Sequence, residues 1–349
     1  MNRLETSRGA QIFRLPLRLF PTLNGYAHLI FTSDALVLVD TGSGLPESNE
    51  SLLDGFRQVS QVVGREVTLR DVDLILITHG HIDHFGGLPF VREHTQAPVY
   101  VHALDHRVLT RFEERTAIAT RDLDIFLRRA GVREERRRAL LGMYGFARSF
   151  YRSVAVDGHL VDGMEIGGFR VCHVPGHCPG LVCLRLDDVL LVGDHVLPHT
   201  TPHLSPESIT RYTGVGHYLA SLDTLEREST GVRVALGGHE EAMFDLGARV
   251  QEIRRSIVRK LGQVLSLCAE PTTVVDISKH RYPDVHGYDV LLALLETGAY
   301  VEYLHEHGYV YVSNWADVQD DVTAPVHYQR AADAMRRFQE EVVHVYGDG

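Results

Sequence analysis

The chain has 349 residues, a formal net charge of −11, and apolar and charged fractions of 44% and 23%. That composition fits a globular protein with a full core and room for more than one domain, and the charge weighs against tight nonspecific nucleic-acid binding. No apolar stretch is long enough to span a bilayer, and the start, Met1 to Arg8, lacks the apolar core of a signal peptide, so no membrane association and a cytoplasmic location are expected.

In chain order, Ala27–Phe31 and Ala35–Val39 read as paired strands around the turn-like Thr32-Ser33-Asp34, with a polar, glycine-rich loop from Asp40 to Gly44. Ser48 to Val63 carries apolar residues at helical spacing. The apolar run Val72 to Ile77 reads as a strand that leads directly into Thr78-His79-Gly80-His81-Ile82-Asp83-His84-Phe85-Gly86-Gly87. Helical character follows to Arg92, and Pro98–His102 resumes a strand. This β–α–β alternation, with polar residues at strand ends, predicts a layered α/β domain.

Residues 104–152 interrupt the alternation with a helical segment whose arginines outnumber its acids, against the sign of the whole chain. Two readings stay open for it: a solvated helical face, or a lid that draws an anionic substrate. Strands are expected again at Phe169–Val174, Val182–Leu186 and Val189–Val192. Beyond His239 the pattern turns helical. One long amphipathic helix is predicted over 247–268, and a short one capped by Thr272 or Thr273. Asp289 to His307 forms a third, stopped by Gly308, and Tyr309–Val312 is a candidate strand of a small wing.

The four cysteines, Cys172, Cys178, Cys183 and Cys268, form no Cys-x-x-Cys pair and read as reduced thiols. Among 21 histidines a single one carries little weight, so only spacing counts. His79, His81, Asp83 and His84 fall within six positions, and imidazole and carboxylate groups are what zinc and similar ions bind. Packing explains such density poorly, because each buried polar group would need its own partner. Three further groups sit at strand ends or in tight turns: His177 in Pro175-Gly176-His177, Asp194 in Gly193-Asp194-His195, and His239 in Gly237-Gly238-His239. Together these supply enough ligands for two ions.

The ordered set Asp40, His79-x-His81-x-Asp83-His84, His177, Asp194 and His239 resembles the full signature of the metallo-β-lactamase superfamily, in its glyoxalase II-like group, over residues 12 to 245. The resemblance implies an αββα sandwich with a binuclear site at one edge of two facing sheets. It further implies that His79, His81 and His177 hold one metal, that Asp83, His84 and His239 hold the second, and that Asp194 bridges them. Asp40 would orient ligands without binding metal, and Asp83 would pass a proton to the leaving group. Two close cations sharing a hydroxide would attack a polarised carbonyl or phosphoryl centre.

Departures from particular branches narrow the expectation. Asp194 stands where the antibiotic-hydrolysing branch carries cysteine, and His81 where the diiron flavoproteins carry glutamate. Leu197 stands where quorum-signal lactonases carry tyrosine, and the interval from Asp194 to His239 leaves no room for the inserted domain of the RNA-processing nucleases. Arg254 to Asn314 resembles the small winged-helix-like tail of some members. Its candidate recognition helix holds Glu296, Glu302 and Glu306 without lysine or arginine, which favours packing or homodimerisation over nucleic-acid binding.

The sequence thus predicts a catalytic domain over 1–246 with a helical insertion at about 104–152, and a helical, winged-helix-like domain over 247–349. The expected protein is a dinuclear metal hydrolase, with zinc favoured and iron or manganese as alternatives, acting on a thioester, ester or lactone of an anionic small molecule. The alternative is a metal-dependent endoribonuclease on single-stranded RNA. His199, His203, Arg211 and Tyr212 are candidate substrate contacts by their nearness in sequence to Asp194.

Overall fold

The computed structural model describes residues 2–346. Among these residues, two compact units divide the chain. The first comprises the segments up to Glu113, Tyr151–Pro202 and Ser221–Arg249. It is built on two sheets. The seven-stranded sheet runs in the order β1 (Asn2–Glu5), β2 (Gln11–Phe20), β3 (Leu23–Phe31), β4 (Leu36–Val39), β5 (Leu74–Leu76), β6 (Val99–His102) and β7 (Gly158–Leu160). The first four strands pair antiparallel, whereas β4, β5, β6 and β7 run parallel. In the six-stranded sheet, β8 (Glu165–Ile166), β9 (Phe169–His173), β10 (Val182–Leu186) and β11 (Val189–Gly193) form an antiparallel series. β11 then pairs parallel with β12 (Val234–Gly237), and β13 (Ala242–Met243) closes the edge.

Strand alternation assigns the two faces of the larger sheet. Ile12, Ile30, Val37, Val39 and Leu76 pack against Phe169, Val171, Leu184, Leu191 and Leu236 of the other sheet. The opposite face, with Phe13, Leu15, Leu17, Leu29 and Leu38, packs on Leu52, Phe56 and Val59 of α1 (Pro46–Val63) and on Leu88 and Val91. Side chains one residue apart therefore serve different layers. Two short helices follow β5, α2 (Ile82–Phe85) and α3 (Leu88–Arg92), and α4 (Ala103–Thr110) follows β6. This is the mixed α/β sandwich that the sequence led us to expect. The sequence reading did not identify β1 and the long β2 at the start of the sheet.

The second unit comprises Glu114–Phe150, His203–Ala220 and the chain from Val250 on. Residues 114–150 of the arginine-rich segment therefore group with the C-terminal helices rather than with the sandwich. The contacts are explicit at the end of α5 (Phe112–Arg129): Ala130 O accepts from Val275 N–H at 2.9 Å and Arg129 O from Val326 N–H at 2.8 Å. Within α5 and α6 (Glu134–Arg148), Arg121 pairs with Asp122, Arg128 and Arg137 with Asp124, and Arg138 with Glu134.

Next along the chain come the helices α7 (Val215–Glu228), α8 (Leu246–Leu267), α9 (Val274–Arg281) and α10 (Asp289–Glu306). Thr273 caps α9 by accepting from Asp276 N–H, and Gly308, at φ 68°, ends the stretch after α10 in the left-handed region. α10 is buried along most of its length, and its acids serve the unit itself. Glu296 pairs with Lys260 at 2.7 Å, and Glu302 accepts from the N–H groups of Glu207 and Ser208. β14 (Val310–Val312) pairs antiparallel with β15 (Tyr328–Arg330), a strand outside the tail region expected from sequence.

Among the described residues, no helix is long and apolar enough to cross a membrane. All four cysteines are free and buried.

Candidate metal centre

The strands that run parallel deliver their C-terminal ends to one edge of the sandwich, where the polar residues collect. Asp40 follows β4 and His79 follows β5 in the larger sheet; Asp194 follows β11 and His239 follows β12 in the smaller one. His177 lies in the turn after β9, which shares the direction of β11 through the antiparallel β10. All of these residues belong to the first unit.

Among the described residues, two groups have ligand atoms that converge within 4.8 Å: His79, His81 and His177, and Asp83, His84, Asp194 and His239. In the first group His81 Nδ1 lies 3.0 Å from His79 Nε2 and 3.0 Å from His177 Nε2. Donors around a tetrahedral zinc at 2.0–2.1 Å stand about 3.3 Å apart, so this spacing is close to that of a coordination shell. In the second group His239 Nε2 lies 3.4 Å from Asp83 Oδ2 and 3.3 Å from Asp194 Oδ2, and His84 Nε2 lies 3.4 Å from Asp194 Oδ2. The same Asp194 oxygen is 3.9 Å from His177 Nε2 of the first group. That oxygen thus lies within 3.9 Å of a histidine from each group.

The histidine tautomers are set from behind. Asp40 accepts from Thr78 N–H and Thr78 Oγ1, each at 2.8 Å, and its Oδ2 lies 2.8 Å from His84 Nδ1. A proton on His84 Nδ1 then leaves Nε2 facing the carboxylates. Asp40 reaches this position at φ 60°, a left-handed conformation that costs a non-glycine residue about 1 kcal/mol or more. His239 Nδ1 lies 2.7 Å from Asn24 O, which directs its Nε2 inwards by the same logic. Gly238 makes room for the cluster, because a Cβ there would fall 2.5 Å from His84 Cε1 and 2.6 Å from Asp194 Oδ1.

The two groups differ electrostatically. Burial holds His79 well below the ordinary histidine range, aided by His84 and His81, and burial with His177 holds His81 down to about 3. In the second group burial again opposes charge on His84, but Asp194, Asp40 and Asp83 outweigh it and raise that histidine well above its usual range. His239 is likewise raised to about 10, with Asp194 overcoming the cost of burial. Burial pushes the two aspartates up, yet His84 and His239 hold Asp83 at about 2 and Asp194 well below the carboxylate range.

This donor set fits two divalent cations. His84 Nε2 and Asp194 Oδ1 are buried without a hydrogen bond, an expensive arrangement that a cation relieves. Protonated His84 and His239 meanwhile supply the positive charge that the carboxylates require, and a bound ion displaces such protons.

The sequence-predicted ligands and Asp40 therefore come together. Of the four candidate substrate contacts, His199 lies in the first unit and the other three in the second. His199 is exposed and bonds to Glu241, while its N–H donates to Glu240 at 2.7 Å. His203, Arg211 and Tyr212 belong to the other unit, where His203 Nε2 lies 3.0 Å from Leu292 O and the other two are exposed.

The sequence reading left out Thr78 and Asn24. Thr78 adjoins the histidine run and carries a visible hydroxyl. Asn24 acts through its backbone carbonyl, which leaves no trace in residue type.

Residues 21–261 match the family model described as the metallo-beta-lactamase superfamily. The chain belongs to that superfamily. It is similar to the Bacillus subtilis (strain 168) protein named "Probable metallo-hydrolase YqjP", at 24% identity over 78% of this chain and 85% of that one. It also resembles an atrochrysone carboxyl ACP thioesterase of Aspergillus chevalieri, at 23% identity over 70% of this chain and 60% of the relative. Among solved structures, a metallo-beta-lactamase family protein of Thermus thermophilus superposes with a TM-score of 0.74 at 27% identity, covering 92% of this chain and 98% of that one. With this family and this His/Asp cluster, the protein is a metal-dependent hydrolase.

Proposed function

We propose that the protein hydrolyses a thioester, with esters and lactones as related substrates, of an anionic small molecule at a dinuclear centre. The observation that carries this reading is the position of Asp194 Oδ2, within reach of His84 and His239 on one side and His177 on the other. His79, His81 and His177 would hold one cation, and Asp83, His84 and His239 the second, with Asp194 shared. When bound, zinc, iron or manganese would supply Lewis acidity, lowering the pKa of water and polarising the carbonyl.

The residues themselves divide the remaining work. Asp40 keeps His84 in one tautomer through its 2.8 Å contact with Nδ1. Asp83, ionised across the physiological range, accepts the proton from the attacking water and returns it to the departing thiolate, so no net proton stays on the chain. The thioesterase among the relatives supports the choice of acyl bond. The arginine surplus in residues 104–152 supports an anionic substrate, through attraction over distance. The RNA alternative has weaker support, because Glu296 and Glu302 of α10 are engaged within their own unit and the helix offers no basic face. The buried free thiols accord with a reducing, cytoplasmic setting.

A panel of acyl thioesters, lactones and short single-stranded RNAs, offered to protein reconstituted with Zn²⁺, Mn²⁺ or Fe²⁺, tests the proposal. Thiol release from acyl thioesters, lost on chelation and restored by metal, is the expected result. Cleavage of RNA alone, abolished in Asp83→Ala, overturns it in favour of the nuclease.

A further inference from the structure

One buried carboxylate lies outside the family signature and still contacts both turns that carry the three-histidine group. Asp105 sits in the first turn of α4 with no exposed surface. Its Oδ2 accepts from Gly80 N–H at 2.7 Å, and its Oδ1 accepts from Gly180 N–H at 3.0 Å. The Cys178 thiol donates to Oδ2 at 3.2 Å. Gly80 is the residue between His79 and His81, and Cys178 directly follows His177. A single side chain thus ties a turn of the larger sheet to a turn of the smaller one.

The approach is tight on both sides. A Cβ on Gly180 would fall 2.5 Å from Asp105 Cγ, and one on Gly80 would fall 3.1 Å from it. Neither glycine has a left-handed φ, so close approach of the carboxylate, rather than backbone conformation, is what demands them. Burying a carboxylate is costly unless its oxygens are satisfied, and here both are satisfied by ligand-bearing turns rather than by the helix that carries the acid. Its contacts with Cys178 and Gly180 lie in the turn of His177, and its contact with Gly80 falls between His79 and His81, ahead of the short helix that carries Asp83 and His84.

We infer that Asp105 is a positioning residue for the first cation: it sets the separation of His79 and His81 from His177, and hence that group's affinity, without touching metal or substrate. The inference rests on the reading of the three histidines as a cation site. It goes further by making the effect selective for one group. An acid that merely supported the fold would weaken both groups together.

Co²⁺ titration, followed by visible absorption and calorimetry, separates these cases. The His239→Ala background isolates the three-histidine group, and the His177→Ala background isolates the other. In the first background, Asp105→Asn is expected to lower Co²⁺ affinity by about tenfold to a hundredfold, the usual cost of losing a partner behind a ligand, and to shift the cobalt absorption bands. In the second background affinity should stay within about twofold. Cys178→Ala, which removes one of three donors and little volume, should lower affinity a few-fold with the same selectivity, and it decides the matter if Asp105→Asn does not fold.

Equal losses in both backgrounds, or no loss in either, overturn the inference. Failure of the unsubstituted protein to bind Co²⁺ is a separate result, which contradicts the cation reading on which the inference stands.

Discussion

The two ligand groups at the sheet edge are built from similar residues and behave differently. In the three-histidine group, burial and neighbouring positive charge keep His79 and His81 neutral, with lone pairs ready for a cation. In the second group, carboxylates are ionised and His84 and His239 are held protonated as their counter-charges. On the dinuclear reading the first group would accept a metal ion without displacing protons from His79 or His81, and the second would exchange protons for metal. On the proposed reading Asp194 joins the two, so the contrast can be tested by breaking the joint, by loosening one side, or by changing the pH.

The largest effect is expected at the joint. Asp194→Ala should reduce hydrolysis by roughly a thousandfold, the several kcal/mol that metal-assisted charge stabilisation supplies, and should weaken metal binding in both groups. Steady-state kinetics with metal content measured in parallel checks this, and an active Asp194→Ala protein with full metal content would remove the joint from the account. Next comes Asp40→Asn, which keeps an acceptor for Thr78 but disturbs the hold on His84 Nδ1. Cation affinity in the second group should fall about tenfold to a hundredfold while the three-histidine group is unchanged. Equal losses in both groups would show that Asp40 supports the fold rather than one ligand.

The pH dependence sharpens the same contrast. His239, raised to about 10, and His84, also raised, carry protons at neutral pH in the metal-free protein, and a cation must expel them. Affinity in the second group should therefore rise with pH up to about 10 and fall as pH drops. His79 and His81, the latter held down to about 3, should add no pH dependence to the first group across the neutral range. Calorimetry in buffers of different ionisation enthalpy measures the protons released at each step. Release on the first step alone would reverse the assignment.

The smallest effect concerns the arginines. Arg133 and Arg136 are exposed on the helical segment, whereas Arg121, Arg128, Arg137 and Arg138 are paired there with acids. Replacing Arg133 and Arg136 with glutamine should lower kcat/KM for an anionic substrate by less than about threefold, at low salt only, with kcat unchanged. No change at any ionic strength would make the segment an ordinary solvated face.

Much of the site was legible because metal chemistry restricts residue type. His79, His81, Asp83 and His84 adjoin in sequence, and Asp194 and His239 each end an apolar run that forms a strand. Regular periodicity also revealed α1, α8 and α10, whose burial depends on a repeated face. Other parts act through the backbone or through distant partners. Asn24 contributes only its carbonyl, and Asp105 becomes informative once Gly80 and Gly180 are brought to it. β2 alternates between two buried layers and carries the buried Arg14, whose Nη2 donates to Gly237 O and Glu240 O, so its sequence lacks a plain apolar stripe.

The most direct test of the central claim is a metal titration of the unsubstituted protein after chelation and dialysis, with bound ions and released protons counted together. The account predicts about two divalent ions per chain, one per ligand group, with more protons released as the second fills than as the first does and thioester hydrolysis restored as both fill. A chain that stays free of metal when supplied with Zn²⁺, Mn²⁺ or Fe²⁺ would contradict it.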